Sequence, residues 1–359
     1  MFSCSAADTC KEETTAGYYL NAEVQELYKC TGSGSCELIS SPLDGYYINK
    51  DDGASASANQ VITCNDGNCS VVTVTPTTCG ENDIGKVIYN SGVKICLAAS
   101  DADPKVIPQV GSDLYKAITV NEFPHVTSGK TVIVKIGTDG SATIEDGYYL
   151  KTADILTAVD SVTPANNEGT HLYTCTSNDC TSAAVAGATA GYYINAANKK
   201  NLILCDGSNK CELVTPAVGY YKTIDGAGNK YVQCTGKADG CEEVVGSGTC
   251  TGGTNGLLNA SSELCLSGTT TEATAAFSTG AFLLEGSAAT GIFYEILSSG
   301  ADKALLKVTS NAITIDKTSG KYYVNKTTLA TTDPDCDEVD PYNCNSSGIC
   351  VKDQTGGNL

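Results

Sequence analysis

A short phrase that recurs along the chain constrains its fold more than any other feature of the sequence. The phrase is a glycine followed by two tyrosines, and two closely spaced cysteines come later. In its clearest form it opens at Gly191, and Cys205 and Cys211 flank a stretch rich in turn-forming residues. The pattern predicts three short strands, with a disulfide linking the second strand to the third. The first residues of the six phrases are Gly17, Gly45, Gly147, Gly191, Gly219 and Lys321.

The order of these phrases repeats at a nearly constant distance. Gly17 and Gly191 lie 174 residues apart, as do Gly45 and Gly219. In each copy a more widely spaced cysteine pair and a block without cysteine separate the second phrase from the third. We therefore predict an internal duplication, because self-similarity at a fixed period marks a repeat architecture. The predicted parts are a first super-repeat at 1–170, a second at 171–340 and the start of a truncated third at 341–359.

The start of the chain gives a further expectation about its origin. The sequence from Met1 to Cys4 begins inside a repeat. We therefore expect a fragment cut from a longer array, with an added start.

Composition and pattern together favour an all-β fold. The chain is rich in Gly, Ser, Thr and Ala, and Val, Ile and Leu stand in short runs, which favours many short strands over long helices. Three strands per unit suit one coil of a β-solenoid, in which stacking buries the apolar face that a single coil exposes. We predict a disulfide-stapled β-solenoid of short strands built from tandem Gly-Tyr-Tyr…Cys…Cys coils. The rival architecture, a string of separate disulfide knots, leaves the strand patterns of the cysteine-free blocks unexplained.

The 19 cysteines stand mostly in close pairs, which indicates an oxidising compartment. Zinc ligation is disfavoured because the spacings vary and the pairs are not grouped in fours with histidine. Sequence alone does not prove the connectivity, and Cys336 has no equivalent in the first copy, so it either pairs outside this sequence or stays free. If neighbours pair in order, the disulfides are Cys4–Cys10, Cys30–Cys36, Cys64–Cys69, Cys79–Cys96, Cys175–Cys180, Cys205–Cys211, Cys234–Cys241, Cys250–Cys265 and Cys344–Cys350.

Alternation of side chains along each strand predicts a row of exposed tyrosines. The residue two before the first cysteine of each pair is large and apolar, so the cysteine face is predicted to point inward. The third residue after the glycine is apolar in every phrase except at Lys222, and it shares a face with the first tyrosine. The second tyrosine is then predicted to point outward, either to bind a partner or to support its stacked neighbours. The candidate partner-binding residues are Tyr19, Tyr47, Tyr149, Tyr193, Tyr221 and Tyr323.

Charge and motifs argue against several classes of function. A formal net charge of −19 disfavours nucleic acid and anionic membranes as partners, and no apolar run is long enough to span a membrane. The sequence contains neither a nucleophile elbow nor a phosphate-binding loop. The two histidines, His125 and His171, lie in different contexts. We therefore predict neither an enzyme activity nor a cofactor.

The densest carboxylate cluster resembles the start of a calcium loop. Glu338 occupies the place where such a loop needs glycine, and the first copy has no counterpart. A solvated loop is therefore the preferred interpretation, and no metal site is predicted. The cluster comprises Asp333, Asp335, Asp337 and Asp340.

Four asparagines stand in Asn-x-Ser/Thr sequons, which suit a secreted glycoprotein. The first is the weakest candidate because Cys69 lies inside its sequon. The candidate glycosylation sites are Asn68, Asn259, Asn325 and Asn345.

The Gly-Tyr-Tyr-Leu/Ile-Asn…Cys…Cys arrays resemble the large scaffoldins of anaerobic gut fungi, whose repetitive cohesin-like sequences carry the fungal cellulosome. The resemblance covers nearly the whole chain and rests on the style of the repeat. It implies a secreted, non-catalytic scaffold, sometimes attached to the cell surface, that binds the dockerin modules of plant-cell-wall-degrading enzymes. It supplies no residue-level binding motif, so the outward tyrosines remain a prediction from strand alternation.

Two other functions stay open at the level of sequence. The first is a structural or adhesive extracellular stalk without enzyme partners. The second is carbohydrate binding through exposed aromatic residues, which the absence of Trp disfavours.

Overall fold

The computed structural model describes residues 2–5, 9–12, 15–21, 23–50, 59–75, 78–98, 104–108, 110–151, 169–223, 230–236, 240–250, 256–267, 274–285, 293, 303–334 and 338–354. Residues 2–5, 9–12 and 285 are described by their backbone alone. The chain divides into two compact units, residues 1–159 with 169–184, and residues 160–168 with 185–359. Strands make up nearly all of the regular structure in the described ranges, and the main exception is a 3-10 turn at Val185–Gly187. The predicted all-β class is confirmed.

The first unit consists of short strands in antiparallel sheets. Its strands are β1 Phe2–Ser5, β2 Thr9–Glu12, β3 Gly17–Asn21, β4 Glu26–Cys30, β5 Cys36–Ile39, β6 Gly45–Ile48, β7 Gln60–Asn65, β8 Asn68–Thr73, β9 Val87–Tyr89, β10 Val93–Ile95, β11 Lys105–Val106, β12 Leu114–Thr119, β13 Thr131–Ile136, β14 Ser141–Ile144, β15 Gly147–Lys151, β16 His171–Thr176 and β17 Asp179–Ala184.

The second unit is likewise built from short strands in antiparallel sheets. Its strands are β18 Gly191–Ile194, β19 Leu202–Cys205, β20 Cys211–Val214, β21 Gly219–Lys222, β22 Lys230–Cys234, β23 Cys241–Val245, β24 Leu264–Cys265, β25 Thr274–Ala275, β26 Gly280–Glu285, β27 Lys303–Val308, β28 Ala312–Ile315, β29 Gly320–Asn325, β30 Thr331–Thr332, β31 Val339–Cys344 and β32 Ile349–Lys352.

Both units contain the same six-stranded arrangement. In the first unit the strand order is β12-β13-β14-β6-β7-β8, and in the second β26-β27-β28-β21-β22-β23 forms the matching part of a larger sheet. The first three strands of each come from the cysteine-free block, and the last three come from the second Gly-Tyr-Tyr phrase. The cysteine-free blocks therefore complete a sheet that begins about 70 residues earlier in the chain.

The glycine that opens the second phrase is required by this pairing. A Cβ atom at Gly45 would lie 2.3 Å from the carbonyl oxygen of Ala142, and one at Gly219 would lie 2.2 Å from that of Ile313. At these glycines β6 lies very close to β14 in the first unit, and β21 lies equally close to β28 in the second. A residue with a side chain could not be accommodated at either position.

Both faces of the six-stranded sheet are buried. In the first unit Val61 on one face packs in a cluster with Ile95 of the β9–β11 sheet. On the opposite face, Ile62 packs with Tyr18 and Leu27 of the β3–β5 sheet. Val61 and Ile62 are adjacent in β7, and both are fully buried. The second unit contains the equivalent of the Ile62 contact, between Val232 of β22 and Leu202 of β19.

Disulfides join eight of the nine cysteine pairs expected from sequential pairing. Six of them close hairpins between directly opposite residues, as in Cys64–Cys69, whose Cα atoms lie 4.1 Å apart. Two close longer loops, Cys79–Cys96 and Cys250–Cys265. Cys4 and Cys10 lie opposite each other in β1 and β2, and their side chains lie outside the described set, as does the whole of Cys336. The hairpin disulfides are Cys30–Cys36, Cys64–Cys69, Cys175–Cys180, Cys205–Cys211, Cys234–Cys241 and Cys344–Cys350.

The predicted β-solenoid is not confirmed. The three strands of one Gly-Tyr-Tyr repeat, such as β3-β4-β5, lie side by side in one antiparallel sheet. A solenoid coil would instead distribute its strands over several faces. Within the described ranges no sheet closes on itself. The close spacing of the cysteines explains why the second and third strands lie side by side. A bond between directly opposite residues such as Cys30 and Cys36 requires a hairpin.

The boundaries of the two copies also differ from the predicted ones. Strand β15 pairs with β16, so a boundary at residue 170 would divide a three-stranded sheet. A boundary at residue 340 would fall within β31. The third phrase of each copy therefore belongs to the copy that precedes it.

The Asp139 carboxylate ties the first Gly-Tyr-Tyr sheet of the first unit to the turn between β13 and β14. The Asp139 carboxylate accepts hydrogen bonds from the Tyr18 hydroxyl at 2.6 Å, the Lys29 ammonium at 2.8 Å and the Ser141 hydroxyl at 2.7 Å. Burial opposes ionisation of this carboxyl group, but the hydrogen bonds outweigh it and hold the pKa of Asp139 well below its usual range. The carboxylate is therefore charged in the folded state at all but strongly acidic pH.

We expect Asp139 to make the protein sensitive to acid. Because its pKa is lower in the folded state than the value of about 3.9 in an unfolded chain, its contribution to stability is present above about pH 5 and is lost as the pH falls below about 4. Asp139→Asn should lower the free energy of unfolding at pH 7 by about 1–2 kcal/mol and should flatten its decline from pH 5 to pH 2. Urea denaturation across this pH range measures both effects.

Asp179→Asn, which removes a surface ion pair with Lys130, is the control and should cost less than about 1 kcal/mol. An equal acid response in the Asp139→Asn variant would contradict the prediction.

Candidate functional site

The second tyrosines of the first five phrases are buried, so the predicted outward orientation is wrong for them. None of the five is more than 5% exposed. The prediction assumed that one face of each Gly-Tyr-Tyr sheet meets solvent. In the structure the face that carries the second tyrosine packs against neighbouring elements, as at Tyr47 and Tyr221. The buried residues are Tyr19 at 2%, Tyr47 at 4%, Tyr149 at 1%, Tyr193 at 5% and Tyr221 at 5%.

Each of these five hydroxyls donates a hydrogen bond to the backbone carbonyl four residues earlier. This hydrogen bond ties the strand to the segment that immediately precedes it. The arrangement resembles the tyrosine corner of β-sandwiches. Burial also raises the pKa of Tyr47, Tyr149 and Tyr221, so the hydroxyls stay neutral donors. The donor–acceptor pairs are Tyr19 to Thr15 at 2.9 Å, Tyr47 to Leu43 at 2.8 Å, Tyr149 to Glu145 at 2.8 Å, Tyr193 to Thr189 at 3.0 Å and Tyr221 to Ala217 at 2.8 Å.

The sixth phrase is aligned differently from the sequence prediction. Gly320 pairs with Cys344 as Gly17 pairs with Cys30, so the glycine of this phrase is Gly320. Tyr322, whose hydroxyl donates to the Thr318 carbonyl at 3.1 Å, is therefore the equivalent of the other second tyrosines. Tyr323, the predicted binding residue, is partly exposed on the opposite face.

Consecutive phrases stack through their tyrosine rings. The first tyrosine of one phrase meets the second tyrosine of the next edge to face, with ring centroids 4.8 Å apart for Tyr18 and Tyr47 and 4.9 Å apart for Tyr192 and Tyr221. The alternative that tyrosines support each other structurally is therefore favoured over a binding ladder.

The sequon asparagines are placed at turns. The side-chain oxygens of Asn325 and Asn345 accept backbone hydrogen bonds within their own turns, and Asn345 is exposed. Asn68 is exposed and donates to the Asp66 carbonyl at 3.1 Å. Asn259 is half-buried, and both ends of its amide are engaged, for example by the Ser261 amide and the Cys250 sulfur. An exposed turn suits glycan attachment best at Asn345.

Within the described ranges, the two histidines make separate contacts. His125 contacts Asp44 at 3.0 Å, whereas His171 contacts a neighbouring threonine hydroxyl. In the predicted calcium-like cluster, Asp340 pairs with Lys352, and residues 335–337 lie outside the described part of the chain. Among the residues that the structure describes, no group of three or more His, Cys, Asp or Glu side chains is placed to hold a metal ion.

A different surface feature is the edge strand that follows the second cysteine of each phrase. These third strands lie at the edge of their sheets, apart from β32, which pairs with β27. Strand β8 has six residues, Asn68–Thr73, and no charged side chain. Every other third strand carries at least one charge, which is a common protection against unwanted pairing. The charged residues are Glu37 in β5, Asp179 in β17, Glu212 in β20, Glu242 and Glu243 in β23, and Lys352 in β32.

The backbone of β8 presents alternate hydrogen-bonding groups to its outer side. Opposite residues in antiparallel strands alternate between hydrogen-bonded pairs and closer pairs without hydrogen bonds. Cys69 faces Cys64 with Cα atoms only 4.1 Å apart, so this pair is of the second kind. The amide and carbonyl groups of Cys69, Val71 and Thr73 therefore point away from β7. Val71 is also 40% exposed.

Two depressions lie beside this edge. A groove of about 410 Å³ is lined by Tyr46 and Val72 of the sheet and, on its far side, by Val87, Phe123 and Pro124. A second, of about 470 Å³, opens at the start of β8 and is lined by Gln25 of the loop before β4 and by Cys69. An extended segment lying along β8 would have backbone partners on one side and a groove of mixed polar and apolar lining beside it.

The start of the equivalent edge in the second unit is covered by a loop. The backbone amide of Cys241, at the start of β23, donates to the carbonyl oxygen of Lys199 at 2.7 Å. A Cβ at the neighbouring Gly240 would lie 2.3 Å from the same oxygen, so the loop lies directly against the strand. Lys199 and Gln25 occupy equivalent positions, 174 residues apart.

Sequence reasoning missed this site because it searched for side chains, whereas the site is made of backbone groups. One signal was available. The stretch Asn68–Thr73 reads Asn-Cys-Ser-Val-Val-Thr, without the charge that follows the second cysteine in the other copy. Five of the six predicted tyrosines, by contrast, lie in the packed interior.

No helix in the described part of the chain has the length and apolar character needed to cross a bilayer. Comparisons of the chain with models of protein families, with curated proteins and with solved structures found no match.

Proposed function

We propose that this protein is a non-catalytic scaffold whose repeats bind the dockerin modules of plant-cell-wall-degrading enzymes and so assemble a fungal cellulosome. The observation that best supports a scaffold is the duplicated sheet, which has the same strand order in both units and is held by disulfides. Tandem rigid modules suit an assembly protein because linking several enzymes raises their local concentration on a shared substrate. The choice of dockerins as partners rests on the resemblance of the repeats to scaffoldins.

We place this scaffold outside the cell, either secreted or attached to the surface. Eight disulfides in the described ranges support an oxidising compartment, since such bonds are rare in reducing ones. Within each unit, two consecutive phrases follow one another through tyrosine contacts such as the one between Tyr18 and Tyr47. This serial stacking takes the place of the predicted solenoid in the proposal.

The test is a calorimetric titration of the oxidised protein with a purified fungal dockerin module. We expect saturable binding at a whole-number stoichiometry, and its loss after reduction of the disulfides. Titration with soluble xylan should give no heat of binding. Absence of dockerin binding by protein that circular dichroism shows to be folded would refute the proposal.

A structural extracellular stalk is the second candidate. The specific observation in its favour is the burial of the tyrosines, which serve stability and offer no contact surface. If the folded protein binds no dockerin, this function becomes the leading one.

A further inference from the structure

We propose that the outer edge of β8 is a docking site for one extended strand of the dockerin-bearing partner, and that the equivalent edge β23 in the second unit does not bind. The proposal rests on the proposed scaffold function and specifies where and how the partner is bound. In this binding mode, the main chain of an added strand supplies affinity, and alternate side chains supply specificity.

The first argument is that an edge of this kind already accepts a strand within the same chain. Strand β32 is the third strand of the last Gly-Tyr-Tyr unit, and its outer side pairs antiparallel with β27 through Lys303 with Cys350 and Ala304 with Ile349. The Leu305 amide also donates to the Gly348 carbonyl at 2.9 Å. The outer side of a cystine-bearing third strand is therefore competent to pair with an antiparallel strand.

The second argument concerns the difference between the two units. The Lys199 carbonyl accepts the outward hydrogen bond of Cys241 in β23, and Glu242 and Glu243 add charge to that strand. In the first unit the equivalent position, between Gln25 and Cys69, is an open depression. Only β8 therefore combines outward backbone groups, an uncharged strand and an adjoining groove.

The third argument fixes the chemistry of the partner strand. The groove beside β8 combines Tyr46, Val72 and Phe123 with Lys86, Glu122 and His125, so the side chains that point into it should include both apolar and polar groups. The chain as a whole carries a net charge of −19, which favours lysine or arginine at the ends of the bound segment. The segment that pairs with β32 consists of Lys303, Ala304 and Leu305, a basic residue followed by two apolar ones.

The experiment compares two proline variants in the dockerin titration. Val71→Pro removes an outward amide of β8 without removing a hydrogen bond to β7, and proline is tolerated at such edge positions. We expect it to weaken dockerin binding at least tenfold, with a stoichiometry of one dockerin per chain in the parent protein. Glu243→Pro, the equivalent change in β23, should leave the affinity unchanged. Val71→Thr, which keeps the amide, should bind within about twofold of the parent.

A second measurement covers the case in which the Val71→Pro variant does not fold. Amide hydrogen exchange of the parent protein, followed by NMR with and without dockerin, should show new protection at Cys69, Val71 and Thr73. Ser70 and Val72 already bond to β7, so their protection should change little. This alternation is specific to strand addition.

The outcomes separate the two proposals. If dockerin binds the parent and the Val71→Pro variant equally, or if no new protection appears along β8, the docking site is refuted and the scaffold function stands. If dockerin binds neither, both proposals fail. If light scattering shows that the parent dimerises and the Val71→Pro variant does not, the edge pairs with a second copy, and the proposed partner is wrong.

Discussion

Replacing Tyr47 by alanine is expected to lower the free energy of unfolding by about 3–5 kcal/mol, the range for removing a large aromatic side chain from a core. Tyr47 is 4% exposed, lies edge to face with Tyr18, and donates a hydrogen bond to the Leu43 carbonyl at 2.8 Å. The change would leave a cavity between two sheets as well as an unpaired carbonyl. Urea denaturation followed by circular dichroism measures the effect.

Two other variants separate the contributions and provide the control. Tyr47→Phe keeps the ring and loses the hydroxyl, so it should cost only about 1 kcal/mol. Tyr323→Ala removes a partly exposed ring with Lys321 near its face, and surface substitutions of this kind usually change stability by less than about 1 kcal/mol. A Tyr47→Ala variant that is as stable as the parent but impaired in partner binding would restore the original binding interpretation.

The local parts of the fold could be predicted from the sequence because they depend on neighbouring residues. A glycine, two tyrosines and a cysteine pair across a short turn specify three antiparallel strands, as Gly17, Cys30 and Cys36 illustrate. The internal duplication was also predictable, since it needs only a constant offset. The position of Gly320 was misjudged by one residue because Lys321 stands between this glycine and the two tyrosines, whereas in the other phrases the tyrosines follow the glycine directly.

The burial pattern could not be predicted because it depends on contacts distant in sequence. Strand β6 pairs with β14, where Tyr46 lies opposite Ala142, and nothing near either residue indicates this partner. Once that pairing forms, a second layer covers each face of the sheet. Val61 and Ile62, neighbours that point to opposite faces, are then both buried. Strand alternation identifies which residues share a face, but it does not reveal whether a face meets solvent.

The same reasoning explains why the candidate site emerged only from the structure. An open edge is a property of the whole sheet, since it depends on which strands have no neighbour. The sequence of β8 differs from that of β23 by its lack of charge, but only the structure shows that Lys199 covers the start of one edge and that Gln25 leaves the other open. The two copies therefore differ at the start of this edge, where Lys199 contacts the strand in one copy and a depression adjoins it in the other.

The disulfides are expected to contribute unequally to stability, with the widely spaced pairs contributing most. In the chain-entropy account, a cross-link stabilises by restricting the unfolded chain, and its effect grows with the length of the closed loop. Cys79 and Cys96 are 17 residues apart, whereas Cys64 and Cys69 are 5 apart. Replacing both members of the long pair by alanine should cost about 3 kcal/mol, and replacing both members of the short pair about 2 kcal/mol.

Packing strengthens this order, because Cys79 and Cys96 form a buried cluster with Ile88 beneath the β9–β10 hairpin. The long disulfide also holds a three-stranded sheet that offers few hydrogen bonds of its own, with only two residue pairs between β10 and β11. Losing it should expose the face of the six-stranded sheet that carries Val61, which packs with Ile95 of the β9–β11 sheet. We therefore expect the Cys79→Ala/Cys96→Ala variant to bind a hydrophobic dye such as ANS under conditions where the Cys64→Ala/Cys69→Ala variant does not. Urea denaturation of the two variants gives their relative stabilities, and a greater loss from the short pair would contradict the chain-entropy account for this protein.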